Sequence, residues 1–384
     1  MSRRFGAGVN TGVDSENSGQ VVRTLKEGYW DRTEVVQMAD GSLRVRKSSK
    51  GDAPPGPWGV SALRREIAYL SNLPRTARCS FPPLLAEWDE AGAPPSVGYE
   101  VPFYADHVDA GELARHSRLT QAEVDEFQDA LATVLLDEVH VPLSASSPPL
   151  SEHVRDVVEH ALSALEADPT LAGLIRAETV QLNQRQVAGP RAAFAQIVAE
   201  GRTLAALDAE PQVRLHGDCF LENILWLRHE LLAASGVPRL LLIDPVSVAG
   251  VMRGPPLFDF VKYISYATGE LPALRSECVD VAGFDDGQDG YSYRVRLEAA
   301  QVAPFQTRDW HTRLRRAFET KYGPAQGGLY CLIDGYFSVA MAVNTSGVQR
   351  QARLLKATQD FNAALGHSRC SEQRNVALEP DLGA

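Results

Sequence analysis

Apolar and polar residues alternate with period two along 34–38 and again along 42–47, on either side of Asp40-Gly41. Period two places successive side chains on opposite faces of a strand. Asp-Gly between two such runs predicts a hairpin, closed by a type I′ turn that needs positive φ. On the second strand Leu43, Val45 and Lys47 share one face. A Pro/Gly loop follows at 52–57, and 61–70 then changes to helical spacing, with Leu63, Ile67 and Leu70 on an apolar stripe. Further short strands are predicted at 84–88 and 97–101.

Beyond about Asp106 the pattern turns helical. Thr120-Gln-Ala-Glu123 is a capping box ahead of Phe127, Leu131, Val134 and Leu135. Helices are predicted over 151–166 and 191–207. Strand pattern returns at 213–215, 224–227 and 240–243. Helix resumes from about Phe258 and again over 310–365. Residues 279–281 and 291–297 read as two strands joined by the Gly- and Asp-rich turn 283–290. The pattern therefore predicts an α+β chain without internal repeats. A loose leader (1–20) precedes a small β-rich region with one helix (21–104), a larger helical region (105–366) and a frayed tail (367–384).

Composition narrows the partners. Of 384 residues 44% are hydrophobic and 23% charged, ordinary for a globular chain. Lys and Arg number 38 against 49 Asp and Glu, a net charge of −11. Phosphate backbones and anionic membranes attract basic surfaces, so neither nucleic acid nor membrane is an expected partner. No run approaches the ~18 apolar residues of a membrane span, and 1–10 has no apolar core of a secretory signal. Cys79, Cys219, Cys278, Cys331 and Cys370 are widely spaced, with no C-x-x-C. They predict neither a disulfide framework nor a zinc site, and fit a reducing cytoplasm.

Candidate chemistry sits in His216-Gly-Asp-Cys-Phe-Leu-Glu-Asn223 and Leu241-Leu-Ile-Asp-Pro245. Asp218 and Asn223, five apart in a loop between short strands, can converge on one point, and Asp244 at the end of an apolar strand can face them. Three such oxygens suit Mg²⁺ on a nucleotide triphosphate. A loop whose Asp and Asn merely cap turns is the plainer alternative.

The segment resembles the catalytic loop of aminoglycoside phosphotransferases and related small-molecule kinases, with the pattern H-G-D-x-x-x-x-N and a later strand ending in I-D. The resemblance implies a two-lobed, protein-kinase-like fold and a dependence on ATP and Mg²⁺. It implies that Asp218 accepts or orients the proton of the attacking hydroxyl, and that Asn223 and Asp244 hold the metal. His216 would tie the loop together, and Asp259, in Pro256-Leu-Phe-Asp259, would brace it; a simple helix N-cap is the alternative for Asp259. Such kinases need a strand Lys and a helix Glu. The chain has six lysines, at 26, 47, 50, 262, 321 and 356. Lys47 ends the second hairpin strand, Glu66 lies 19 residues on, and Val45 on the face of Lys47 is placed to pack over an adenine. Lys50, in the following loop, is the competing lysine.

Two features depart from the family pattern. The turn before Glu34 holds one glycine, so the backbone amides from Gly28 to Thr33, with Thr33 or Arg32, are what it offers to phosphate. Asn223 and Asp244 are 21 residues apart, which implies an enlarged hairpin tip over 228–239. There is no D-F-G, A-P-E or His-Arg-Asp, and no room for an activation segment, which points to a small-molecule hydroxyl acceptor rather than a protein. Asp285, Asp286, Asp289, Asp334 and Glu270 are candidates for binding acceptor amines, with a solvated turn the plainer reading of 285–289. The predicted function is transfer of the γ-phosphoryl to a hydroxyl of an aminoglycoside-type antibiotic, a sugar or a cyclitol. A metabolic sugar or cyclitol kinase without a resistance role, and a catalytically silent pseudokinase, are the alternatives.

Overall fold

The computed structural model describes residues 19–27, 31–50, 59–90, 92, 96–143, 149–227, 238–246, 251–284 and 290–370. The leader 1–18, Gly28, most of the hairpin tip (228–237), Asp285, Asp286, Asp289 and the tail from 371 lie outside the described residues. Two compact units emerge. The first takes the described residues up to Asn72 together with Pro82–Ala105; the second takes Leu73–Phe81 together with Asp106 onward. The first carries a five-stranded sheet and the second most of the helix, so the chain is α+β as its pattern predicts.

In the first unit, β1 (Gln20–Glu27), β2 (Asp31–Gln37), β3 (Leu43–Ser49), β4 (Ala86–Glu90) and β5 (Ser96–Pro102) pair antiparallel in the order β1-β2-β3-β5-β4. Helix α1 (Gly59–Ser71) packs on this sheet. Its Leu63 is buried with Val97, Tyr99 and Val101, and Val45, Ile67 and Leu70 close around them. The β2–β3 hairpin forms where Asp40-Gly41 predicts it, but its turn is not type I′. Gly41 is left-handed (φ 83°) while Asp40 is not. The Gly41 N–H donates to the Met38 carbonyl (2.9 Å), and the Met38 N–H to the Ser42 carbonyl (2.9 Å). Asp40 accepts instead from the Ser42 N–H and hydroxyl, at 2.9 and 2.6 Å. One left-handed glycine after a right-handed turn matches strand twist as the primed turn does. Strand β4 lies two residues later than the pattern predicts.

The second unit contains β6 (His107–Asp109), β7 (Thr179–Leu182), β8 (Arg185–Ala188), β9 (Val213–Arg214), β10 (Ile224–Leu227), β11 (Leu240–Leu242), β12 (Arg253–Gly254), β13 (Val279–Ala282) and β14 (Ser292–Val295). Its helices are α2 (Ala110–Arg115), α3 (Gln121–Ala132), α4 (Leu150–Leu165), α5 (Pro169–Arg176), α6 (Pro190–Glu200), α7 (Arg202–Ala209), α8 (Leu257–Ala267), α9 (Glu270–Arg275), α10 (Thr312–Tyr322), α11 (Gly327–Ala342) and α12 (Gly347–Cys370). Strand β10 is central in the antiparallel order β11-β10-β6, while β9 pairs with β12. The segment 216–223 therefore leaves one small sheet and enters another, and is fixed at both ends.

Left-handed glycines divide two predicted helices. Gly201 (φ 68°) separates α6 from α7 within 191–207, and Gly323 (φ 84°) and Gly347 (φ 53°) divide 310–365 into α10, α11 and α12. Right-handed helix cannot continue through positive φ. Strands β13 and β14 pair as predicted, with Val279 opposite Val295. Helices α11 and α12 approach closely at Gly335, where a Cβ would lie 2.7 Å from the Phe361 ring.

Helix α3 begins with the predicted capping box. The Thr120 N–H donates to Glu123 at 2.8 Å, and the Glu123 N–H to the Thr120 hydroxyl at 3.3 Å. It then continues as one π-helical segment, Thr133–Val139. The wider winding buries Leu135, Leu136 and Val139 and leaves Val134 half-exposed, which corrects the predicted stripe. Phe127 is fully buried and edge-on to Trp226 of β10 (5.4 Å) and to Trp310 (5.7 Å). Among the described residues, no helix is long and apolar enough to cross a membrane. Because Phe127 locks α3 against β10, Phe127→Ala is expected to lower unfolding stability by about 3–5 kcal/mol, measured by urea titration of the full chain.

Candidate active site

In the first unit Lys47 and Glu66 are a buried ion pair, 7% and 5% exposed. The Lys47 Nζ donates to both Glu66 oxygens, at 3.0 and 2.9 Å, and the Tyr99 hydroxyl donates to Oε1 at 2.7 Å. The strand face that carries Lys47 looks toward α1, so the pairing follows from strand alternation and helix position. Asp31 lies 3.7 Å from Nζ, and half-buried Thr33 is the cross-strand partner of Lys47. Val45 packs against the cluster of Leu63, Val97, Tyr99 and Val101. Lys50, the competing lysine, pairs instead with Glu27 at 2.7 Å. Removing one partner of a buried pair leaves an uncompensated charge, at a cost of about 3–5 kcal/mol.

In the second unit the loop 216–223 is built around Asp259, on the first turn of α8. Asp259 is fully buried, and its carboxylate does not cap its own helix. Oδ2 accepts the His216 N–H and Oδ1 the Gly217 N–H, both at 2.7 Å. The His140 Nε2 lies 3.1 Å from Oδ2 and donates to it. Burial pushes the Asp259 carboxyl up, but the His140 hydrogen bond, the nearby His140 and His216 and the Gly217 amide outweigh it and hold the group below its ordinary value. The stability this gives is present above the ordinary Asp range and is lost as pH falls through the lowered value. His140 reaches this point because the π-helical segment ends one residue before it.

His216 is buried in the same frame. Its Nε2 donates to the Ile243 carbonyl at 3.0 Å, which leaves Nδ1 to accept the Asp218 N–H at 3.3 Å. Both nitrogens are satisfied by a neutral ring, and burial drives the imidazole below its ordinary pKa. Phe81 stacks on it at 5.9 Å. Gly217 is left-handed (φ 83°), a conformation that glycine adopts without strain. Cys219 is buried and its thiol is pushed up by burial, so it is an inert packing group.

Asp218 projects from this frame with 24% of its side chain exposed. The Asn223 Nδ2 donates to its backbone carbonyl (2.9 Å) and to its Oδ2 (3.1 Å). The Lys262 Nζ donates to Oδ1 at 2.6 Å. Asp244 is placed by the β10–β11 ladder. Ile224 faces Leu242, and the Ile243 N–H donates to the Asn223 carbonyl at 2.9 Å, so Asp244 is the next residue beyond the partner of Asn223. The chain turns sharply there. Asp244 (φ 51°) and Val246 (φ 77°) are left-handed, and the Val246 N–H donates to the His216 carbonyl at 2.7 Å. Positive φ at a β-branched residue costs about 1–3 kcal/mol and is held only by surrounding contacts.

The structure thus brings His216, Asp218, Asn223, Asp244 and Asp259 into one region of the second unit, and Lys47 and Glu66 together in the first. Asp334 lies on α11. It is 7% exposed, and Lys356 donates to it at 2.8 Å, to Asp360 at 3.0 Å and pairs with Glu270 at 3.1 Å. Its carboxylate serves that buried cluster. Sequence reasoning missed His140 and Lys262. Nothing in the local pattern marks His140. Lys262 carried a signal: it lies one helical turn after Asp259, hence on the same face.

No family model matches the chain, and no curated protein sequence matches it. Solved structures are similar to it over most of its length. A thermostable mutant of an aminoglycoside phosphotransferase is 12% identical, covering 91% of this chain and 94% of its own, with a TM-score of 0.48. A Streptomyces rimosus aminoglycoside phosphotransferase in complex with ADP and streptomycin is 17% identical, covering 86% and 90%, with a TM-score of 0.39. A glucosamine kinase in complex with glucosamine, ADP and inorganic phosphate is 15% identical, covering 90% and 92%, with a TM-score of 0.39. The likeness to these structures is one of fold.

Proposed function

We propose that this protein is an ATP- and Mg²⁺-dependent phosphotransferase that moves the γ-phosphoryl group to a hydroxyl of a small polar molecule, an aminoglycoside-type antibiotic or a sugar or cyclitol. The observation that carries the reading is the Asp218 carboxylate. It is partly exposed, held at Oδ1 by Lys262 and at Oδ2 by Asn223, on a loop whose amides are fixed by a buried aspartate. A carboxylate that merely capped a turn would point at nearby backbone N–H groups; this one accepts from side chains and keeps lone pairs for an incoming O–H.

The donor set fits a hard cation. The amide nitrogen of Asn223 is turned to Asp218, which leaves its carbonyl oxygen for a ligand. Among the described residues no group of three His, Cys, Asp or Glu side chains stands ready to hold a metal alone. Asn223 and Asp244 would hold Mg²⁺ on the phosphates of its nucleotide. When bound, the ion would neutralise charge on the phosphate oxygens. The remaining steps belong to the chain. Lys47, held by Glu66, binds the α/β-phosphates. Asp218 accepts the hydrogen bond of the acceptor hydroxyl and takes its proton as the new O–P bond forms and the bond to ADP breaks. Such a positioned base contributes typically ~10²–10⁴-fold.

The test is an acceptor screen with Mg-ATP, read by mass spectrometry for the gain of one phosphoryl group. Turnover is expected for at least one hydroxyl compound, with kcat about 10²–10⁴-fold lower in Asp218→Asn; equal turnover in that variant contradicts the assignment. Nucleotide binding without turnover across the panel identifies a silent pseudokinase instead. Drug susceptibility with and without the gene separates a resistance enzyme from a metabolic kinase. In Asp244→Ala, the Mg²⁺ concentration for half-maximal rate is expected to rise, measured by metal titration at saturating ATP; an unchanged midpoint removes Asp244 from the metal site.

A further inference from the structure

We propose that Lys262 is a positioning residue for phosphoryl transfer, an ammonium held against two aromatic rings that fixes the Asp218 carboxylate for the acceptor's proton. The inference rests on the reading of Asp218 as the proton acceptor. Helix α8 presents Asp259 and Lys262 on one face, a turn apart. Asp259 accepts the amides of 216 and 217, and Lys262 donates to the side chain of 218. One helix face thus sets three consecutive loop residues, two through their backbone and the third through its carboxylate.

The Lys262 side chain is 7% exposed, a burial that a cation tolerates only with close compensation. Its Nζ lies 2.6 Å from Asp218 Oδ1, 4.7 Å from the Phe220 ring centre and 4.5 Å from that of Phe337. Both rings are within cation–π range. Phe220 belongs to the loop itself and half-buried Phe337 to α11, so the ammonium is held by two separate elements. A lysine serving only as a surface counter-ion needs neither ring. With Lys262 on Oδ1 and Asn223 on Oδ2, rotation of the carboxylate about its terminal bond is blocked at both ends, whereas a lone Asp has a broad well there. In the reaction the acceptor proton goes to Asp218, the acceptor oxygen bonds to phosphorus, and the electron pair of the broken P–O bond leaves with ADP.

The experiment compares wild type, Lys262→Met, Lys262→Arg and Phe337→Leu in steady-state kinetics with an acceptor from the screen, alongside thermal unfolding of each. In Lys262→Met kcat is expected to fall about 10–100-fold, the scale of an ångström misplacement, with KM for ATP and for the acceptor held within about twofold. Lys262→Arg recovers part of the loss, and Phe337→Leu shows the same split at smaller size. If Lys262→Met does not fold, Lys262→Arg and Phe337→Leu carry the comparison. Unchanged kcat, or raised KM with kcat intact, overturns the positioning role while leaving the phosphotransferase reading in place. A loss of rate matched throughout by loss of folded protein also overturns it. A wild-type protein that phosphorylates nothing overturns both.

Discussion

A buried carboxylate that accepts two consecutive backbone amides is the constraint on which this site depends. Asp259 has no exposure, so its charge requires donors, and the loop supplies them at His216 and Gly217 while the end of the π-helical segment supplies His140. Leaving such a carboxylate unsatisfied costs far more than any surface ion pair yields. These bonds fix the start of the loop, and Gly217, left-handed at its second residue, is the residue type that makes this conformation accessible. Neutral His216 then ties the loop to the Ile243 carbonyl, and the strained turn at Asp244–Val246 returns the chain to His216.

Each unit uses the same device, a charged group desolvated against close partners. In the first, Lys47 sits between Glu66, Tyr99 and the sheet, so its ammonium is stationed rather than free to swing. In the second, Lys262 and Asn223 hold Asp218 while leaving it partly open. Rigid charges aimed where charge develops are what phosphoryl transfer asks of a protein, since the protein makes no covalent bond to the group that moves.

Much of this was legible from residues alone, where the chemistry is local. His216, Gly217, Asp218, Asn223, Ile243 and Asp244 stand in a motif whose spacing needs no tertiary knowledge. The hairpin was marked by Asp40-Gly41, the Lys47–Glu66 pair by a scarcity of lysines and a strand-then-helix order, and α3 by its capping box. What stayed illegible depends on contacts distant in sequence or on winding. The π-helical segment shifts the register after Thr133 and places His140 beside a residue 119 positions later, which no periodicity predicts. Helices drawn through Gly201, Gly323 and Gly347 were too long because left-handed backbone outweighs the propensity of the residues around it. The turn at Gly41 differs from type I′ because Asp40 finds its donors in Ser42 and so needs no positive φ itself.

The most direct measurement is site-resolved hydrogen exchange at the His216 and Gly217 amides in wild type and Asp259→Ala, with amides of α1 in the first unit as an internal reference. If Asp259 holds the loop, those two amides are strongly protected in wild type and exchange at least about tenfold faster in the variant, a loss of about 1.4 kcal/mol or more of protection, while α1 is unchanged. Equal protection of both amides in the two proteins would show that the loop is fixed by something else and would contradict the account.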